Sequence, residues 1–359
     1  MNGGILLAMS EQVAEAIRGA IHDHGPITFA EFMERALYGP GGFYEDPPVG
    51  AHGDFVTSPH VHPVFGAMLG TAVAELFAIL GEPEPIRITE VGAGDGTLAT
   101  QVIGALAERD VDYEAVDVSP GARSALAVID GVRAGATLSD APHVVIANEL
   151  LDNLPFRRMH GDREVRVGVD GGRFVEVEAA WDGDPYPADH QTIVPVGAFA
   201  FIDRLAFSHD RGYALLIDYG SVASPAGPVH GYREHREVAD VLADPGGSDI
   251  TAGVDVSMIA DRARSNGLQA FEPVTQQAAL RALGHDRWER TMRATQTELQ
   301  QAGRDTEAVR VWEERSRASL LTDPSRFGGF WWLVLATEGL PEPPWLARAR
   351  TQAERPEVR

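Results

Sequence analysis

The chain has 359 residues, no cysteine and a formal net charge of −23 at pH 7. This length allows one large α/β core with elaborations. A strongly negative chain repels phosphate backbones, so we predict no nucleic-acid partner. The lack of cysteine excludes a disulfide, a thiolate nucleophile and a thiolate metal site, and it is consistent with a reducing compartment.

The N-terminal part of the chain predicts a helical cap. The apolar residues 5–9 lack basic flanks and are too few for a signal or a membrane span, which favours a cytoplasmic protein with no membrane partner. Two helical patterns within residues 10–37 are separated by a break at Gly25 and Pro26. Apolar helices of this kind can pack on the core or form a homodimer contact.

Residues 38–63 form a long segment rich in glycine, proline and aromatic residues. A loop of this length in a compact chain is usually functional or disordered, and its aromatic content argues against disorder. His60 and His62 would share one face if this part were a strand. No cluster of further histidines or cysteines accompanies them, so we predict no metal site.

The most informative segment is a glycine-rich turn after an apolar strand. The strand ends near Glu90, and Gly92, Gly94 and Gly96 follow at alternate positions. Glycine permits backbone conformations and a close ligand approach that a Cβ would obstruct. A helix that begins at about Thr97 would direct its free N–H groups at a ligand carboxylate. This pattern is typical of an S-adenosylmethionine site, with the charged Glu90 near the ammonium or sulfonium group.

A glycine-rich turn after a strand is also found in dinucleotide sites of the form GxGxxG. Here Thr97 stands where the third glycine of that pattern would lie, and an acid precedes the turn. The spacing therefore favours the methyl donor, while an NAD(P) site and a ligand-free structural turn remain alternatives.

Two further acids are candidates for the nucleoside part of the donor. Asp117 ends the second core strand, where a carboxylate can accept hydrogen bonds from both ribose hydroxyls. It could equally be a capping or solvated acid. Asp140 lies in the loop after the third βα unit and could accept from the adenine amine, although a plain turn acid fits as well.

Polar residues at the end of the fourth core strand are candidates for the methyl acceptor. Asn148, Glu149 and Asp152 follow that strand at the carboxyl edge of the sheet, where ligands bind in open α/β folds. With Asp54 from the long loop and Asp218 from the fifth strand, the two acids could hold a guanidinium. Alternatively, they could cap a helix after the fourth strand. Asn148 could hold the donor amino group or the acceptor.

The rest of the chain continues the alternation of strands and helices, which predicts a doubly wound, mostly parallel sheet. The predicted elements are a hairpin over residues 163–181, a fifth strand over 214–220, an excursion over 222–254, a helix over 255–265, strands over 268–271 and 330–336, a charged helical insertion over 276–320, and a frayed tail after Pro341.

Five segments together resemble the MidA-like S-adenosylmethionine-dependent methyltransferases, a family that includes a mitochondrial complex I assembly factor that methylates a protein arginine. The segments are residues 53–59, 90–98, 148–155, 218–220 and 249–255. The resemblance spans roughly residues 25–340. It implies S-adenosylmethionine as cofactor and places Thr57, Ser58 and Pro59 at the donor. It also implies protein arginine N-methylation, with a respiratory complex I subunit as one acceptor.

By this resemblance the fold is an α/β, Rossmann-like class I methyltransferase core with an antiparallel last strand, a helical cap and inserted hairpin and helical elements. The expected divisions are a cap with an active-site loop (1–85), a core (86–340) with insertions at about 156–212, 222–254 and 276–324, and a tail (341–359).

The chain departs from the family pattern at the acceptor side. His60 and His230 stand where the family usually has Glu and often has Arg, and Gly253 and Val256 stand where it has His and Phe. An acid near the donor is a natural guanidinium partner, and His60 replaces it. A small-molecule O- or N-methyltransferase and a non-catalytic assembly factor with this fold therefore remain alternatives to protein arginine methylation.

Overall fold

The computed structural model describes residues 2–45, 56–138, 142–183, 193–208, 211–222, 227–233 and 236–353; the predicted site residues Asp54 and Asp140 lie outside them. The helices of the described residues are α1 (Asn2–His24), α2 (Phe29–Met33), α3 (Ser58–Val61), α4 (Val64–Ile79), α5 (Thr97–Ala105), α6 (Pro120–Leu126), α7 (Val196–Ser208), α8 (Val256–Ser265), α9 (Gln276–Leu283), α10 (His285–Gln301), α11 (Asp305–Ser319) and α12 (Pro344–Ala353). A π-helical segment spans Glu34–Tyr38, and a 3₁₀ turn spans Phe327–Gly329.

The strands belong to a large central sheet and three smaller sheets. In chain order they are β1 (Ile27–Thr28), β2 (Ile86–Val91), β3 (Val111–Val116), β4 (Val132–Gly135), β5 (Val144–Asn148), β6 (Arg157–His160), β7 (Arg163–Asp170), β8 (Arg173–Ala180), β9 (Ile193–Val194), β10 (Tyr213–Asp218), β11 (Gly220–Ser221), β12 (Val229–Arg233), β13 (Arg236–Val238), β14 (Asp249–Ala252), β15 (Val254–Asp255), β16 (Leu268–Ala270), β17 (Val274–Thr275) and β18 (Trp331–Thr337).

The central sheet has the order β16-β18-β10-β5-β2-β3-β4, with β17 also paired to β18. Strands β10, β5, β2, β3 and β4 are parallel, and β18 runs antiparallel to β10. This arrangement confirms the predicted doubly wound sheet with an antiparallel last strand. Strand order reverses between β2 and β5, so the carboxyl ends of these two strands border the crevice where such sheets bind ligands.

Helix α4 belongs to the core layer, which corrects the prediction that residues 1–85 form a single cap. Its side chains Leu69 and Leu76 are fully buried in the cluster that covers one face of the central sheet. A Cβ on Gly66 or Gly70 would overlap α5, since Ala105 Cβ lies only 2.5 Å from the position of the second. These two glycines therefore allow α4 and α5 to pack closely.

The first 45 residues pack on a different part of the molecule. Strand β1 pairs with β7 of the predicted hairpin, which is confirmed as β7 and β8. Phe29 and Phe32 are fully buried in a cluster with Phe156, Val167 and Ile250. The N-terminal helices thus cover the inserted strands rather than the central sheet, and they lie beside the elements that follow β5 and β10.

Within the described part of the tail, α12 is a packed helix, so the prediction of a frayed tail is wrong for Pro344–Ala353. Trp345 and Leu346 of α12 are fully buried, and the Trp345 ring lies 5.6 Å from that of Trp332. The Glu75 side chain accepts a hydrogen bond from the Trp345 backbone N–H at 2.9 Å. The apolar positions Trp345, Leu346 and Ala349 lie on one helical face, which packs mainly on α9 and also on α4 and β17.

The charged insertion over residues 276–320 is confirmed as three helices. Helix α9 contributes Leu280 and Leu283 to the core, whereas α10 and α11 pack on each other and are mostly exposed. Among the described residues, none of the helices has the length and apolar character that crossing a membrane requires.

Candidate active site

The glycine-rich turn adopts the conformation that its sequence predicts. Gly92, Gly94 and Gly96 have φ angles of +74°, +56° and +78°, a region that favours glycine. A Cβ on Gly92 would lie 2.9 Å from Leu150 Cδ1, and a Cβ on Gly96 would overlap the side chain of Ile129. At two of the three positions a Cβ would therefore also displace the tip of an apolar side chain.

Helix α5 begins at Thr97 as predicted, and Asp95 lies at its N-terminus. Asp95 Oδ1 accepts the Thr97 N–H at 3.0 Å, and Asp95 Oδ2 lies 3.0 Å from His60 Nε2. Burial acts to raise the pKa of Asp95, but the hydrogen bonds from His60 and Thr97 lower it below its ordinary value. His60 Nδ1 is in turn 2.8 Å from the Thr57 hydroxyl.

His60 therefore connects the predicted long loop to the donor turn. It lies in α3 rather than in a strand, so the expectation that it shares a strand face with His62 is wrong. His62 instead accepts the Val64 backbone N–H and contacts Glu314 of α11. In the described part of the chain, no group of three or more histidines and acids is arranged to hold a metal ion.

Asp117 follows β3 at the carboxyl edge, and its side chain holds the glycine turn. Oδ2 accepts the Gly94 N–H at 2.9 Å, and Oδ1 accepts the Ser119 N–H at 2.8 Å. Burial raises the pKa of Asp117, and the two backbone hydrogen bonds partly offset this effect. Each carboxylate oxygen has a second lone pair, so these contacts leave acceptors for a pair of ribose hydroxyls.

Glu90, which we expect near the ammonium or sulfonium group of the methyl donor, lies buried between strands of the central sheet. Its side chain is 3% exposed and accepts a 2.7 Å hydrogen bond from the Tyr113 hydroxyl of the neighbouring strand. Burial in the middle of the sheet raises the pKa of Glu90 to about 8. The carboxyl group is therefore mostly protonated at neutral pH.

Helix α3 contacts both sides of the crevice. The Ser58 N–H donates to Glu149 Oε1 at 2.7 Å, beyond the end of β5. On the donor side, Gln101 of α5 donates to the Pro59 carbonyl at 2.9 Å. The segment between the glycine-rich turn and the end of β5 therefore contains Thr57, Ser58 and Pro59, which the family resemblance places at the cofactor.

Glu149 has a φ angle of +52°, which is uncommon for a residue other than glycine. Its backbone N–H donates to the Ile217 carbonyl at 2.7 Å, and its side chain accepts a second hydrogen bond from Asn148 Nδ2 at 3.1 Å. Strained backbone of this kind is concentrated at functional sites. Residues 149–154 form turns, so the alternative that Glu149 and Asp152 cap a helix after this strand is wrong.

Asp218 orders the backbone of these turns. Oδ2 accepts the N–H groups of Leu151 and Asp152 at 2.8 and 3.2 Å, and Oδ1 accepts the Tyr219 N–H at 2.8 Å. Burial, and next the negative charge of Glu149, raise the pKa of Asp218 to about 7. Oδ2 accepts two backbone N–H groups and Oδ1 accepts one, so Asp218 mainly shapes the site and keeps at most one lone pair, on Oδ1.

Asp152 is the acid with an unused oxygen. It is 8% exposed; Oδ2 accepts the Thr251 hydroxyl at 2.7 Å, whereas the buried Oδ1 has no hydrogen-bond partner. Burial, and next the charge of Asp218, raise the pKa of Asp152 well above its ordinary value. The Oδ1 atom of Asn148 is likewise buried without a partner. Both predicted residues thus present free acceptors beyond the end of β5.

Sequence reasoning missed three contributors to this edge. The Tyr219 hydroxyl lies 2.7 Å from Thr251 Oγ1, and Asp249 accepts the Tyr44 hydroxyl at 2.8 Å and the side-chain amide of Asn153 at 2.9 Å. Tyr219, Thr251 and Asp249 all fall in segments that resemble the methyltransferase family. Those segments were the signal that could have identified them.

Comparison with known proteins places this geometry in a family. Residues 68–274 match the sequence model of a family of S-adenosyl-L-methionine-dependent methyltransferases. The mitochondrial protein arginine methyltransferase NDUFAF7 of Bos taurus is 30% identical over 320 residues, which cover 74% of this chain and 72% of that protein. Its counterpart from Xenopus laevis is 29% identical over 320 residues, with the same coverage.

A solved structure has the same fold over nearly its whole length. It is a Burkholderia thailandensis protein bound to S-adenosyl-homocysteine, 27% identical, with a TM-score of 0.80 over 95% of this chain and 96% of that one. An S-adenosylmethionine site is thus supported, and the NAD(P) alternative is excluded.

The comparisons also correct the expected location. The curated relatives from vertebrates and Drosophila melanogaster are named as mitochondrial proteins, so the prediction of a cytoplasmic protein is wrong. That prediction rested on the lack of cysteine and on the short apolar run at residues 5–9, neither of which distinguishes one reducing compartment from another. The fold, the donor turn and the family match lead to one conclusion: this chain belongs to the family of S-adenosyl-L-methionine-dependent methyltransferases.

Proposed function

We propose that the protein transfers a methyl group to arginine side chains of a protein acceptor, at the edge formed by the ends of β5 and β10. The observation that carries this proposal is the pair of buried acceptor atoms without donors, Asp152 Oδ1 and Asn148 Oδ1. A buried acceptor without a donor costs roughly 1–3 kcal/mol. An occupant that supplies donors would remove that cost.

The guanidinium group of arginine fits this requirement. It has five N–H donors, no acceptor and a permanent positive charge. Glu149, Asp218 and Asp249 surround Asp152 with further negative charge that raises its pKa, and Glu149 likewise raises the pKa of Asp218. A guanidinium would favour their ionised forms. The names of the relatives, protein arginine methyltransferase NDUFAF7, give independent support.

The donor would lie across the glycine turn. Asp117 would accept the ribose hydroxyls, the turn and the start of α5 would hold the methionine part, and Thr57, Ser58 and Pro59 would close over it. When bound, S-adenosylmethionine supplies an electrophilic methyl group on a sulfonium. The protein's own contribution is alignment: Asn148, Glu149 and Asp152 would orient one guanidinium nitrogen toward that methyl group, and such positioning can supply several kcal/mol of the barrier.

The proposal is tested with purified protein, isotopically labelled S-adenosylmethionine and two matched peptide pools that differ only in Arg or Lys at the central position. We expect label in the arginine pool alone and methylarginine after hydrolysis, detected by mass spectrometry. Label in the lysine pool, or only in a metabolite fraction, would refute the proposal. A purified respiratory complex I subunit, which the sequence resemblance implies as an acceptor, is the first whole protein to test.

A pair of variants assigns the site. Asp152→Asn should bind S-adenosylmethionine as the parent does but lose transfer by at least about tenfold, since the amide replaces one acceptor oxygen by a donor. Asp170→Asn, at the exposed end of β7, removes an equal charge away from the site and should keep full activity. Equal activity of the two variants would show that Asp152 does not bind or orient the methyl acceptor.

A further inference from the structure

The hydroxyl groups of Thr251 and Tyr219 form a hydrogen-bonded chain to Asp152, and the binding of a guanidinium does not by itself explain them. Thr251 of β14 is 3% exposed, and its Oγ1 lies 2.7 Å from Asp152 Oδ2. The Tyr219 hydroxyl lies 2.7 Å from the same Thr251 atom. A threonine hydroxyl has one proton. If Thr251 donates it to Asp152, Tyr219 must donate to Thr251, so the hydrogen bonds run from Tyr219 through Thr251 to the carboxylate.

We propose that Thr251 and Tyr219 are positioning residues that hold Oδ2 of Asp152, so that Oδ1 faces the acceptor nitrogen and receives the proton that methyl transfer releases. This inference rests on the proposed function, because it states which oxygen of Asp152, the acid that would hold the guanidinium, faces that group. Neither residue touches the reacting atoms in this scheme. Both act through Asp152.

The transfer step balances with Asp152 as the proton acceptor. A lone pair on a guanidinium nitrogen forms the bond to the methyl carbon, the carbon–sulfur bond breaks, and its electron pair remains on sulfur. The methylated nitrogen passes one proton to Oδ1. The charges before the step are +1 on the guanidinium, +1 on the sulfonium and −1 on Asp152. Afterwards only the methylated guanidinium is charged, so the total of +1 is unchanged.

The surroundings of Asp152 suit a group that takes up a proton. Asp218 at the end of β10, Asp249 of β14 and Glu149 after β5 add negative charge that favours the protonated form, in addition to burial. The Thr251 hydrogen bond favours the ionised form. The phenols Tyr38 and Tyr219 lie close enough to be affected by the charge of Asp152. The Thr251 hydrogen bond thus partly offsets the rise in the pKa of Asp152, which keeps Oδ1 available to accept a proton.

The test compares Thr251→Val with Thr251→Ser, and Tyr219→Phe with both. Valine keeps the shape of threonine but has no hydroxyl, so Asp152 should hold its proton to higher pH. We expect kcat to fall at least about tenfold, an unchanged Kd for S-adenosylmethionine, and an acid limb of the kcat pH profile displaced to higher pH. Serine should restore both kcat and the profile. Tyr219→Phe should shift the profile in the same direction, by less.

Two outcomes would overturn the inference: a wild-type pH profile in Thr251→Val, or a serine variant as impaired as the valine one. A measurement independent of the acceptor uses ¹³C NMR of labelled aspartate, with Asp152→Asn to assign the resonance. The Asp152 titration midpoint should rise in Thr251→Val and not in Thr251→Ser. If the methylated residue is not arginine, the proposed function fails, and this NMR shift still decides the role of Thr251.

Discussion

The acids of the crevice have different tasks, although sequence treats them alike. Asp117 and Asp218 use their oxygens on backbone N–H groups and so shape the turns around them. Glu149 holds α3, and Asp152 keeps a free oxygen. Glu90 is protonated in the sheet. What separates these roles is burial and the donors that the fold brings to each carboxylate, which residue type does not specify.

Replacement of Asp117 tests the ribose contact. Asp117→Ala should raise the Kd for S-adenosylmethionine at least about tenfold, since a charge-assisted hydrogen bond is worth roughly 1.5–3 kcal/mol. Isothermal titration calorimetry measures this effect. Asp112→Ala, on the same strand and paired at the surface with Arg133, is the matched control and should bind normally. An unchanged Kd in Asp117→Ala would show that Asp117 does not bind the ribose and has only a structural role.

The raised pKa of Glu90 predicts a pH dependence of stability. Between the ordinary pKa of a glutamate and its folded value of about 8, the folded state keeps a proton that the unfolded state has released. The free energy of unfolding should therefore fall as pH rises from about 5 to 8. Glu90→Gln removes this contribution, so its urea midpoint should exceed that of the parent at about pH 8. The same pH slope in both proteins would show that Glu90 is not protonated.

Among the elements, α3 has an influence out of proportion to its four residues, since it joins the donor turn to the acceptor edge. Its contact with the turn depends on His60, which faces Asp95. A glutamate at this position, which the sequence resemblance implies for the family, would place two carboxylates together in this structure. The departure from the family pattern is therefore matched by the local contact.

Substitutions of His60 measure this contact. His60→Glu should weaken S-adenosylmethionine binding more than His60→Gln does, because only the first adds a like charge beside Asp95. Salt should change this difference only slightly, because the side chains of His60 and Asp95 are 12% and 33% exposed and largely buried charges are weakly screened. Calorimetric titrations of both variants at two salt concentrations give the comparison. If the glutamate variant bound as tightly as the glutamine one, His60 and Asp95 would not be in contact in solution.

Helix α12 has a structural task that can be measured. Trp345→Ala should lower the free energy of unfolding by about 3–5 kcal/mol, as expected for a large buried aromatic side chain. Trp312→Ala, at a residue that is 54% exposed on α11, should change it by less than about 0.5 kcal/mol. Chemical denaturation followed by circular dichroism compares the two. A frayed tail would give two equally small effects.

At the scale of the whole molecule, the net charge of −23 should influence which peptides the protein methylates most efficiently. A strongly negative protein attracts basic partners over distances set by the Debye length, about 10 Å at 0.1 M salt and 3 Å at 1 M. Arginine peptides with basic flanks should therefore have a higher kcat/KM than those with acidic flanks, and the ratio should fall toward one at high salt. A ratio that salt does not change would place the preference in direct contacts instead.

The predicted and observed local structure agree where the signal is local. The glycine turn, the start of α5 at Thr97 and the strands ending at Asp117 and Asp218 depend on residue type and short-range periodicity, and the structure has them where the sequence indicates. The hairpin at residues 163–181 is set in the same way by a turn of adjacent glycines. By contrast, α3, the turns after β5 and the docking of α12 depend on partners distant in the chain.

The sequence by itself thus determined the doubly wound sheet, the cofactor and the family, since these follow from apolar patterning, from backbone conformations that only certain residues allow and from the motifs of five segments. Tertiary structure alone decided which carboxylates of the crevice keep an oxygen without a hydrogen-bond partner. Thr251 reaches Asp152 across 99 positions of the chain, and His60 reaches Asp95 across 35. Hydrogen-bond partners and burial, which set the pKa and the open lone pairs of each carboxylate, come from such long-range contacts and from no local pattern.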